Sequence, residues 1–70
     1  GNVMPIVTIK LAKPELEKDE KAALIKDITE LLSTKYNKAK ERIVVMIEPI
    51  EPYDIAFGGL TVEAIKKGKK

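Results

Sequence analysis

Seventy residues carrying 13 basic and 11 acidic side chains make one small domain of net charge +2. A chain this short buries too little surface to hold together on its own core, and usually relies on disulfides, a metal or association. With no Cys and no His, disulfides and soft or imidazole metal ligands are excluded, so association is what remains.

Gly1 to Met4 precede the first regular pattern and read as a tag remnant or non-native extension, with residues 5–70 as a single domain. In Pro5 to Leu11 (PIVTIKL), Val7, Ile9 and Leu11 alternate with Ile6, Thr8 and Lys10, the period of a strand. Ala12 to Leu16 is expected to be a loop, since Pro14 bars continuation of the strand. From about Lys18 to Tyr36 the period lengthens. Leu24, Ile25, Ile28, Leu31, Leu32 and Tyr36 form one apolar stripe on a helix with a Lys, Asp and Glu opposite face. Asp19 and Glu20 near its start and Lys35 and Lys38 near its end suit the helix dipole, and Asn37 is the expected stop.

Arg42 to Glu48 (RIVVMIE) reads as a second strand, apolar on both faces. One helix covers only one side of a two-stranded sheet, so the other side implies a partner. Pro49 and Pro52 are expected to break regular structure, and Tyr53 to Leu60 to form a turn or hairpin pivoting on Gly58-Gly59. Thr61 to Lys67 fits either a last helical turn or a short strand that pairs with a neighbour. Residues 66–70 (KKGKK) read as a solvated, frayed tail. A nucleic-acid footprint would join clustered Arg with aromatics, and the one arginine is Arg42. No apolar run approaches the length of a membrane span and no signal-peptide pattern opens the chain, which makes the cytoplasm the default location. Strand, long helix and strand together predict an α+β fold: a β-α-β subunit with a parallel two-stranded core, a right-handed crossover and a C-terminal hairpin.

Most catalytic equipment is absent. Without His or Cys there is no nucleophile–His arrangement. Gly58-Gly59 follows a strand and fits no phosphate-cradling motif. Glu48, Glu51 and Asp54 are interrupted by Pro49 and Pro52 and show no loop-ligand spacing, so no metal site is expected. What stands out is Met4-Pro5 at the head of the first strand. Met before a small residue is routinely removed after translation, and a chain beginning at Pro5 would carry a secondary amine there. An α-amino group has a reference pKa of about 7.7–8.0, which a desolvated or cation-lined pocket lowers, bringing it near the operating pH of a general base. The plainer reading is that Pro5 blunts the end of a strand.

MPIVTIKL, a helix of the type DEKAALIKDITELL, then RIVVMIE and finally AFGGL resemble the 4-oxalocrotonate tautomerase family from Pro5 to about Leu60, with one extra residue in the loop before the helix. The resemblance implies a tautomerase-like subunit assembled as a homo-oligomer, usually a hexamer. It also implies a cofactor-free, metal-free isomerase that interconverts enol and keto forms of small 2-oxo acids of the 2-hydroxymuconate type. In that family the N-terminal proline shuttles the proton, arginines hold the substrate's oxygens and an apolar wall depresses the amine pKa. Carried over, Pro5 takes the position of the base. Ile55 and Phe57 fall at the wall, with aliphatic and aromatic exchanged, and Ala12 stands where leucine is more usual. The arginine positions depart from the pattern. Lys13 is the nearest basic residue in the loop, with Lys18 further along, and Val44 aligns with the strand position. Arg42 lies two residues earlier and, on a strand, would share the face of Val44. Lysine binds a carboxylate as a point charge without a bidentate fork.

The expected activity is therefore tautomerisation with Pro5 as catalytic residue and Lys13, Arg42, Ala12, Ile55 and Phe57 as substrate-binding residues. The alternative is a non-catalytic oligomeric binding or scaffold protein of the same fold. Neither reading calls for nucleic acid, membrane, metal or cofactor.

Overall fold

The computed structural model describes residues 4–68. Strand β1 (Ile6–Ala12) leads through a short loop into helix α1 (Lys18–Tyr36), then a single 3-10 turn (Lys40–Arg42) and strand β2 (Val44–Ile50). A two-residue hairpin follows, β3 (Ala56–Phe57) and β4 (Leu60–Thr61), and the chain closes in helix α2 (Val62–Gly68). β1 and β2 are parallel, with Ile6 beside Val44, Thr8 beside Met46 and Ala12 beside Ile50. The fold is thus the expected α+β one, a β-α-β unit with a C-terminal hairpin.

Local chemistry explains the element ends. At the start of α1 the Glu17 backbone N–H donates to Glu20 Oε1 at 2.8 Å, satisfying a donor outside the helical ladder, and Asp19 and Glu20 sit at the positive end of the dipole. Asn37 stops the helix in the left-handed region (φ 57°), which asparagine tolerates better than most residues. Gly58 and Gly59 both adopt positive φ (58° and 86°), as a tight hairpin turn between right-twisted strands requires.

Four expectations are corrected. Arg42 is not on a strand: its N–H donates to the Ala39 carbonyl (3.0 Å) and that of Ile43 to Lys40 (3.2 Å), closing the 3-10 turn before β2 begins. Pro49 does not break β2. In a parallel pair a residue's N–H and C=O point to the same side. Val44 donates to Pro5 and Ile50 accepts from Lys13, so the intervening odd positions, Pro49 among them, turn away from β1 and no ladder bond is lost. Ala12 ends β1 rather than opening the loop, and the choice left open for Thr61 to Lys67 resolves mostly to helix, with Lys66 and Lys67 inside α2 rather than in a frayed tail. Lys69, Lys70 and residues 1–3 lie outside the described residues.

On the sheet face toward α1 lie Val7, Ile9, Leu11, Val45 and Ile47, packed with Leu24, Ile25, Ile28 and Leu32 at half-burial. Even there no described side chain is fully buried. The radius of gyration is 16.1 Å, where a compact chain of this length would show about 11 Å. The hairpin packs on α2 rather than on the β1–β2 sheet, so the C-terminal third extends as an arm from a body that measures 50 × 25 × 16 Å overall. The opposite sheet face carries Ile6, Val44 and Met46, and the arm carries Phe57 and Leu60. Ile6 is 61% exposed, Met46 48%, Phe57 69% and Leu60 53%. No helix among the described residues is long and apolar enough to cross a membrane.

Candidate active site

The parallel register sorts the site residues into two groups. Pro5 immediately precedes β1, half-buried, and its carbonyl accepts the Val44 N–H at 2.9 Å. Arg42, exposed, ends the turn two residues before Val44, so both lie at the N-terminal end of the sheet. Met4, the residue that acylates the Pro5 nitrogen, is 53% exposed. Ala12 and Lys13 lie at the opposite, C-terminal end of β1. Ile55 and Phe57 follow the C-terminal end of β2 in the same region of the chain.

Eight residues of extended chain separate Pro5 from Lys13, a span of about 26 Å at roughly 3.3 Å per residue. No small acid bridges that length. Within one protomer Pro5 and Arg42 lie toward the same end of the sheet, and the structure does not bring Pro5 to Lys13, Ala12, Ile55 or Phe57. The described residues also enclose no cleft of their own.

The C-terminal end is organised by ion pairs. Lys13 Nζ lies 2.8 Å from Glu51 Oε2 and 4.0 Å from Glu15 Oε2, while Lys21 Nζ donates to Glu15 Oε1 at 2.7 Å. The backbone sets this up. Lys13 N–H donates to the Ile50 carbonyl at 2.9 Å, which carries the strand register one step past Ala12–Ile50 and sets Lys13 beside Glu51. Lys66 Nζ on α2 donates to the Lys13 carbonyl at 3.3 Å and fastens the arm to the loop. The hydrogen bond that Lys13 donates to Glu51, and then the Glu51 charge, holds the Lys13 ammonium above the ordinary lysine pKa. The hydrogen bond from Lys21 holds the Glu15 carboxyl below the ordinary carboxylate value.

Glu51 and Lys66 were missed in the sequence as parts of this end. Glu51 entered there only as a dismissed metal ligand, and nothing in the local pattern pairs it with a residue 38 positions away. The signal was the register: the residue that follows each parallel strand meets its counterpart. Among the described residues no three or more Asp or Glu side chains converge as a cation site would need.

Comparison with known proteins bears on the whole chain. Residues 5–65 match the family described as tautomerase enzyme. A probable tautomerase of Campylobacter jejuni is 71% identical over 63 residues, covering 90% of this chain and 93% of that protein. A probable tautomerase of Listeria monocytogenes is 35% identical over 57 residues, covering 81% and 92%. Among solved structures, DmpI from Helicobacter pylori superposes with a TM-score of 0.77 at 28% identity, covering 90% of this chain and 97% of that one. YwhB, a homologue of 4-oxalocrotonate tautomerase, gives 0.76 at 27% identity, covering 84% and 95%.

Proposed function

The chain belongs to the tautomerase family, and from that premise we propose that it is a cofactor-independent isomerase interconverting enol and keto forms of small 2-oxo acids, with the Pro5 nitrogen as general base. The observation that carries the reading is the coincidence at Pro5: the family match begins on this residue, which stands at the head of β1, at the end of the sheet where the turn that ends in Arg42 leads into β2. As an amide behind Met4 the nitrogen has no basic lone pair. Freed by removal of residues 1–4, a non-native extension in this reading, it becomes a secondary amine whose reference pKa of about 7.7–8.0 suits proton transfer near neutrality. The Arg42 guanidinium opposes protonation of that amine and offers a fork to the carboxylate and carbonyl oxygens of a 2-oxo acid.

The site is completed between protomers. Pro5 and Arg42 of one subunit meet the Ala12, Lys13, Ile55 and Phe57 end of another, which an antiparallel, two-fold arrangement of the sheets accomplishes. The exposed apolar face of the sheet and the extended arm support a homo-oligomer, and the family resemblance makes a hexamer the expected closed form.

The test is ketonisation of 2-hydroxymuconate by the chain as it stands and by one beginning at Pro5. Only the second is expected to turn over, and Pro5→Ala in that background should lower kcat/KM by about 10²–10⁴-fold, the range of general-base contributions. A rate unaffected by that substitution refutes the proline mechanism.

A further inference from the structure

We propose that Glu51 occupies the Lys13 ammonium, so that the distal end of the site takes an apolar tail and the enzyme acts on 2-hydroxy-2-enoic and 2-oxo acids bearing a single carboxylate rather than on dioic acids. The inference rests on the tautomerase reading above and narrows its substrate class.

Lys13 is the loop cation that the proposed assembly sets opposite Pro5 of a neighbouring protomer, and it is already engaged. Glu51 Oε2 lies 2.8 Å from its Nζ, and Glu15 Oε2 lies 4.0 Å away on another side. A distal carboxylate approaching Nζ therefore meets two like charges within about a carboxylate's width. The pair is not an accident of long side chains. The bond from Lys13 N–H to the Ile50 carbonyl fixes the two Cα atoms as neighbours across the end of the sheet, so the pairing is written into the strand register. A lysine point charge can serve one carboxylate well but cannot present a planar fork to a second. Lys13 and Lys21 are matched by Glu15 and Glu51, and Lys66 Nζ, 3.3 Å from the Lys13 carbonyl, adds one further cation. The chain that supplies Glu51 continues into Ile55, half-buried, and Phe57, 69% exposed. Arg42, at the Pro5 end, makes no ion pair among the described residues and is free to take the carboxylate beside the reacting carbon. One available fork, a distal lysine already paired and two apolar side chains on the chain that follows Glu51 select a monoacid. Lys66 is the competing cation, since its Nζ reaches only the Lys13 carbonyl (3.3 Å), and the experiment addresses it directly.

The matched pair of substrates is 2-hydroxyhexa-2,4-dienedioate and 2-hydroxyhexa-2,4-dienoate, in which a methyl replaces the distal carboxylate. With the chain beginning at Pro5, kcat/KM for the monoacid should equal or exceed that for the diacid. Glu51→Gln should raise the diacid-to-monoacid ratio at least five-fold, chiefly through KM for the diacid, and adding Lys13→Met should cancel that gain. Because each ratio is taken within one protein, a partial loss of folded enzyme drops out. Calorimetric binding of adipate and hexanoate, which do not react, gives a second reading. If neither diene turns over but Glu51→Gln still shifts adipate over hexanoate, the tautomerase reading fails, and only the exclusion of a second carboxylate by the Glu51–Lys13 pair stands. A wild-type preference for the diacid of ten-fold or more overturns the proposal, and loss of that preference in Lys66→Gln would assign the distal carboxylate to Lys66. A ratio unmoved by Glu51→Gln in both turnover and binding overturns it too, as does failure of every protein to bind or turn over either acid.

Discussion

Replacing Ile6 and Met46 together by serine should dissolve the assembly, because their face supplies stability that the protomer's own core lacks. Both side chains lie on the sheet face turned away from α1, and they are 61% and 48% exposed in the isolated protomer. Fully burying such a side chain contributes about 1.5–3 kcal/mol, so covering the remaining fraction of both supplies about 1.6–3.3 kcal/mol per protomer. In a two-fold contact each protomer contributes the same surface, for a total of about 3–6.5 kcal/mol, or roughly a 10²- to 10⁵-fold change in the dissociation constant. Sedimentation velocity over a dilution series, with far-UV circular dichroism at each concentration, reads both the mass and the helix content. The expected outcome is a wild-type oligomer at micromolar concentration and a variant that dissociates in the same range. Equal dissociation constants, or a wild-type protein that stays monomeric and folded throughout, would refute the reasoning that this face is where stability comes from.

Two further perturbations probe smaller features. Gly58→Val should lower the thermal midpoint more than Gly58→Asn, because φ of +58° disfavours a β-branched residue by about 1–2 kcal/mol while asparagine tolerates it. A Cβ there meets no atom within 4 Å, so the difference is purely backbone, and equal midpoints would contradict it. Glu15→Gln should narrow stability only where the carboxylate is ionised. The Lys21 hydrogen bond lowers the folded-state pKa of Glu15, so its contribution is present above the ordinary value of 4.5 and lost as pH falls through the lowered one. Thermal midpoints of wild type and variant should therefore differ at neutral pH and converge in acid, and a gap that persists well below the carboxylate range would show that the loss is not electrostatic.

Much of the fold was legible because it follows from short-range rules. The alternation from Ile6 to Leu11, the stripe from Leu24 to Leu32, the left-handed stop at Asn37 and the Gly58-Gly59 turn each depend on a residue and its near neighbours, and each forms where the pattern put it. Arg42 and Pro49 were misplaced for different reasons: Arg42 closes a 3-10 turn through its own N–H, whereas the cost of Pro49 is set by the pairing of the strand it sits in. Whether a residue near a strand end joins the ladder depends on which edge its N–H faces, and that is decided by the partner strand. In Pro49 the outward-facing position makes the missing donor harmless.

The site divides along the same line. By itself the sequence determined the chemistry on offer: a proline at a strand head, one arginine, lysines in place of forks, and no thiol or imidazole. Tertiary structure alone decided what those groups can do together. The parallel register sets Pro5 and Arg42 at one end of the sheet and Lys13 at the other, so a single protomer cannot bring the proposed site residues together. The next step of the same register places Glu51 against Lys13 at 2.8 Å. Pairing between strands acts across more than thirty residues of intervening chain, and no periodicity within either strand carries that information.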